Sequence, residues 1–99
     1  MSVALVGVGA VLCIAHQQKG GGPTHGHSYE VVAWFSEGGN AIEHQAALTG
    51  VIGQLDHTQL NDDMTRAEDI GRWIAARLPG CRVVDVNRPL ERIYVCVRP

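Results

Sequence analysis

The 99-residue chain is 45% hydrophobic but only 5% aromatic, with a formal net charge of -2 and a pI near 6.2. A chain of this length reads as one domain over residues 1–99, with a thin core of Val, Ile, Leu and Ala that would gain from subunit packing in a homo-oligomer. The lack of any basic stripe excludes nucleic acid and anionic membrane surfaces as partners, since both need clustered Lys and Arg.

Val3–His16 is rich in Val, Leu and Ile. No Lys or Arg precedes it, as a secretory segment would require, and it falls short of the roughly 20 residues of a membrane span. It reads as a strand, with Gly7 and Gly9 as bulge or bend points, and a cytoplasmic location is expected. The polar, glycine-rich stretch Gln17–Thr24 is a turn, and His27–Phe35 a second strand, so the two form an antiparallel hairpin. Glu37–Asn40 breaks that strand. Ala41–Leu55 then reads as a helix, with apolar positions at Ile42, Ala46, Val51, Ile52 and Leu55.

Thr65-Arg66-Ala67-Glu68 has the spacing of a capping box. It opens a second helix carrying Ile70, Trp73, Ile74 and Leu78, which Pro79-Gly80 ends. Cys81–Val86 and Ile93–Val97 read as two further strands. Cys13, Cys81 and Cys96 are odd in number and contain no CxxC pair, which argues for buried, reduced thiols rather than a disulfide framework. Gly7-Val8-Gly9 lacks the third glycine and the following helix of a dinucleotide-binding turn.

The feature richest in chemistry is His16 followed by His25-Gly26-His27. Alternate residues of a strand share a face, so His25 and His27 point together. His16 ends the partner strand and meets them across the hairpin. Three imidazoles suit zinc and leave a fourth position open, as in catalytic sites. Cys13 has the opposite parity to His16 and should face away. The histidines taken alone also fit solvated loop positions or a fortuitous chelating cluster.

The segments Ile14-Ala15-His16, His25-Gly26-His27-Ser28-Tyr29 and Leu55-Asp56-His57-Thr58-Gln59-Leu60-Asn61 occur in an order that resembles the 6-pyruvoyl-tetrahydropterin synthase and 6-carboxytetrahydropterin synthase family. The resemblance implies the α+β tunnelling fold: a four-stranded antiparallel sheet with two helices on one face, in the order ββααββ. Subunits of that fold join as trimers or stacked hexamers, with sites between subunits. It further implies that His16, His25 and His27 bind Zn2+ against a dihydropterin substrate in a lyase-type reaction. Asp56 and His57 match the family's proton-transfer pair, an imidazole oriented by a carboxylate. Adjacent strand residues face opposite ways, so that pair needs a turn.

Three departures bear on this expectation. The family's basic cysteine, four residues before the first histidine of the pair, is replaced by Gly21. The pterin-anchoring glutamate aligns with Asn87, and Glu91 is a candidate substitute. Glu68 matches the Glu of the family's helix start and would bind substrate, although a capping box already gives it a structural role. His44 has no family counterpart and is expected on an exposed helix face. A zinc-binding paralogue without synthase activity, or one acting on another substrate, fits the same departures.

Overall fold

The computed structural model describes residues 2–17, 24–60, 64 and 66–99, leaving aside the side chains of His16, Gln17, Thr24 and His25. Strand β1 (Leu5–Gln17) pairs antiparallel with β2 (Thr24–Ser36) from Leu5 opposite Ser36 to Gln17 opposite Thr24, without a register shift. Gly7 and Gly9 therefore mark neither bulge nor bend. Gly7 is small because a Cβ there would lie 2.8 Å from the Trp34 ring. The irregularity falls instead between Trp34 and Phe35, where β2 pairs with β4.

Helix α1 (Ala41–Gly53) starts at Asn40, whose side-chain oxygen accepts the Ile42 and Glu43 backbone N–H groups. Its buried residues are Leu48, Val51 and Ile52, whereas Ile42 is 81% exposed. Gln45 ties the helix to the sheet by donating to the Gly9 carbonyl at 2.7 Å. His44 is half-buried rather than exposed, because its ring stacks on Phe35 with centroids 3.8 Å apart.

A short strand that periodicity did not reveal, β3 (Thr58–Leu60), pairs parallel with Ile14–His16 of β1. Helix α2 (Ala67–Ala75) follows, then β4 (Cys81–Arg88), a 3-10 turn at Pro89–Glu91 and β5 (Ile93–Val97). The sheet is thus five-stranded and mixed, in the order β3-β1-β2-β4-β5, rather than four-stranded and antiparallel, and the elements run ββαβαββ.

The capping box is not formed as expected. Thr65 lies outside the described residues, the N-cap is Arg66 with no side-chain cap, and Glu68 is the second helical residue. Asp69 takes the third position and receives the Arg66 guanidinium at 3.1 and 3.2 Å.

Both helices cover one face. Val8, Leu12 and Ile14 of β1, Tyr29, Val31, Ala33 and Phe35 of β2, and Val84 and Val86 of β4 point into a core closed by Leu48, Val51 and Ile52 of α1 and Ile70 and Ile74 of α2. Alternation along each strand makes this one contiguous apolar face. Gly71 lets α2 approach the sheet closely, since a Cβ there would meet Val97 at 2.6 Å. Of the three free thiols only Cys81 is buried; Cys13 is half-buried and Cys96 exposed. Among the described residues no helix is long and apolar enough to cross a membrane.

Leu12 is fully buried where β1 meets both β2 and the helix layer. Leu12→Ala should lower the unfolding free energy by about 2–5 kcal/mol through lost burial and a residual cavity. Ile42→Ala, at an 81% exposed position, should change it by less than about 0.5 kcal/mol. Urea unfolding at fixed protein concentration measures both.

Candidate functional site

Two groups of chemistry-bearing residues lie near the loop end of the β1–β2 hairpin. The first follows from its register. His16 is the Cα partner of His25, and Ile14 is the partner of His27. Facing positions in an antiparallel ladder share a side, as do residues two apart. The backbone therefore puts positions 16, 25 and 27 on the face that carries Ile14, Tyr29 and the helices. The side chains of His16 and His25, and Gly21 of the loop, lie outside the described residues.

His27 is half-buried, with its ring centroid 6.0 Å from that of Tyr29. The two line a groove of about 390 Å³ together with Glu30, Arg88 and Glu91. Burial pushes the Tyr29 phenol up, the neighbouring Arg88 guanidinium pulls it down, and Glu68 and Glu91 add to the rise. Glu68 and Glu91 are thus close enough to Tyr29 to influence its ionisation. Arg88 Nη2 also donates to Glu91 Oε1 at 3.3 Å. Asn87 stands inside β4, opposite Glu30 of β2 and Tyr94 of β5. Its parity is opposite to that of buried Val86, so it belongs to the uncovered face, while Glu68 sits on a helix of the covered one.

The second group is built at the outer edge of β1. After α1 the chain makes a turn at residues 54–57 in which His57 takes a left-handed conformation, φ 59°. The turn docks on Cys13 from both sides: the Cys13 N–H donates to Asp56 Oδ1 at 2.8 Å, and the His57 N–H to the Cys13 carbonyl at 2.6 Å. Asp56 Oδ2 then pairs with His57 Nδ1 at 2.9 Å. The adjacent carboxylate and imidazole meet because of this turn, as their use as a pair requires.

Asp56 is held below the usual carboxylate range, chiefly by the Cys13 backbone N–H, with the His57 hydrogen bond adding to it against an opposing effect of partial burial. A carboxylate fixed on Nδ1 sets the imidazole tautomer and leaves Nε2 for proton exchange with solvent or ligand.

His57 lines a second groove of about 410 Å³ with Cys13, Ile14, Ala15, Thr58 and Gln59. His27 belongs to the first groove and His57 to this one. The residue that sequence reasoning missed is Cys13: its thiol, Asp56 and His57 offer three ligand-type atoms all within 4.8 Å of one another. Its strand parity sets it on the face opposite Ile14 and His27, but nothing along the chain links it to Asp56, 43 positions away.

The sequence matches no family model, and no curated protein matches it. In three dimensions it is similar to the solved structure of Caenorhabditis elegans 6-pyruvoyl tetrahydropterin synthase, at a TM-score of 0.79 over 100% of this chain and 97% of that one, with 12% sequence identity. A likeness at that identity concerns the fold: two helices on a mixed five-stranded sheet, consistent with a tunnelling fold.

The depressed Asp56 carboxyl carries a pH signature. A lowered folded pKa contributes stability that is present above the unfolded value of about 3.9 and is lost as pH falls through the folded value. Urea midpoints of the native chain and Asp56→Asn should therefore differ near about pH 7 and converge below about pH 4. A constant gap across that range would show that the turn does not use the carboxylate charge.

Proposed function

We propose that the chain is a zinc-dependent enzyme of the pterin synthase type, acting on a dihydropterin or a closely similar heterocycle in a lyase reaction. The observation that carries this reading is the hairpin register, which sets His16 opposite His25 and puts His27 on the same face, in a fold similar to that of a 6-pyruvoyl tetrahydropterin synthase.

Three neutral imidazoles are a donor set suited to zinc with one position left open. His16, His25 and His27 would hold the ion, which supplies Lewis acidity toward the side-chain oxygens of a bound pterin. The chain's own groups do the rest. His57 Nε2 exchanges a proton with the substrate, and Asp56 fixes the Nδ1–H tautomer and stabilises the imidazolium. Glu68, close enough to perturb Tyr29, lies on the metal-bearing face. Glu91 lines the groove that His27 lines, where a carboxylate can accept paired hydrogen bonds from an amino-pyrimidine edge. Asn87, on the other face, would contact substrate bound by a neighbouring copy.

His27 and His57 line separate grooves of one chain. A site using both would be assembled between subunits, in the trimer or hexamer expected of the family that the sequence resembles. Gly21 in place of the family's thiol and Asn87 in place of its glutamate favour a second reading: a zinc-bearing paralogue that binds its ligand without synthase turnover.

Metal analysis and turnover of dihydroneopterin triphosphate separate these readings. About one zinc per histidine site, lost in a His25→Ala, His27→Ala variant, is expected on metal chemistry of this kind. His57→Ala should keep the zinc of the histidine site and lose roughly 10²- to 10⁴-fold in turnover. Mixed oligomers of the His27 and His57 single variants should recover part of the activity if the site spans subunits. Zinc binding without turnover in the native chain would select the binding-only reading.

A further inference from the structure

We infer that Cys13, Asp56 and His57 form a second metal site, distinct from the three histidines, that takes a thiophilic divalent ion such as zinc. One thiolate sulfur, one carboxylate oxygen and one imidazole nitrogen lie within 4.8 Å of one another. This is a mixed S/O/N donor set of the kind zinc and cobalt accept, with a fourth position open to the groove. Ligand pairs on one tetrahedral zinc stand roughly 3.5 Å apart, from bond lengths of about 2.0–2.3 Å. No two of the three atoms are more than 4.8 Å apart, so the triangle closes by at most about 1.3 Å, and the His57 ring, 80% exposed, can swing by that amount once it leaves Asp56 Oδ2.

The site is already organised without an ion. The turn fixes both backbone groups of Cys13, and Asp56 Oδ1 is pinned by the Cys13 N–H, which leaves lone pairs on both carboxylate oxygens. His57, in a left-handed backbone conformation, is held by its N–H to the Cys13 carbonyl and by its ring to Asp56. The Cys13 sulfur, 3.5 Å from Ser28 Oγ, has a hydroxyl neighbour that can donate to it once it is a thiolate. Binding breaks the Cys13 S–H bond and releases that proton to solvent, the sulfur lone pair passing to the ion. Affinity should accordingly rise with pH.

The position relative to the histidines follows from strand parity. Cys13 pairs with Ser28, and Ile14 with His27, so the thiol and the imidazole of His27 belong to opposite faces of the hairpin. One ion cannot serve both sets, and this inference stands whether or not the pterin chemistry does.

Cobalt(II) titration of the purified apo-protein tests it, because a sulfur-to-cobalt charge-transfer band in the near ultraviolet arises only from a thiolate ligand. The native chain should bind two equivalents and show the band for one of them. Cys13→Ser should lose the band and one equivalent. His57→Ala, at an exposed side chain, should weaken binding at that site at least tenfold without affecting the fold. His25→Ala, His27→Ala should keep the band, and so should Cys96→Ser, which removes the exposed thiol. A native chain with no charge-transfer band, or a band that survives Cys13→Ser, would overturn the inference. Loss of the histidine site alone would instead count against the proposed function and leave this site in place.

Discussion

The thirteen-residue ladder between β1 and β2 is the constraint on which the rest of the molecule depends. In a two-residue alternation, a slip of one position turns every side chain to the other face. Here such a slip would expose Tyr29, Val31, Ala33 and Phe35, all under 5% accessible. It would also send His27 away from its neighbours. The same hydrophobic burial that fixes the core therefore fixes where the histidines stand. Ala10 facing Val31 and Leu12 facing Tyr29 hold the register four to six residues along the strand from positions 16 and 25.

The outer edge of β1 has a different problem, because unpaired N–H and C=O groups there invite pairing with another chain. Strand β3 covers only Ile14–His16. Upstream of it the chain uses side chains: the Gln45 amide takes the Gly9 carbonyl, and Asp56 takes the Cys13 N–H. The Asp56–His57 pair is thus part of how the edge is satisfied. A group placed for edge pairing also ends beside a half-buried thiol, and structural need and chemical opportunity coincide in one turn.

How much of this could be read from the sequence follows from how local each signal is. The hairpin and both helices show in alternating or helical runs of apolar residues, and their existence and order are visible. Strand β3 is three residues, Thr58–Leu60, too short for any period to register. His44 looks like a surface residue until α1 folds back and lays its ring on Phe35. The facing of His27, and the pairing of positions 16 and 25 in the ladder, could be derived, since they need only hairpin geometry. The company Cys13 keeps could not, because it depends on a left-handed residue at His57, and histidine's enrichment in that conformation is too weak to place a turn.

Similarity of fold at 12% identity says that the frame persists, and function has to be argued from the groups the frame carries. The covered face presents the His27 imidazole, a buried phenol and carboxylates from α2 and the 3-10 turn. The edge turn presents a thiol, a carboxylate and an exposed imidazole. A sheet about one residue thick separates the two faces, so neither set can reach the other within one chain except around the hairpin's end or across a neighbouring copy. Cys13 lies on the opposite side of the same hairpin from His27, where it meets Asp56 and His57. In the proposed second site, an ion on the Cys13 sulfur would also take up Asp56 and His57. With an ion bound, the His57 nitrogen that ligates it is no longer free to carry a proton.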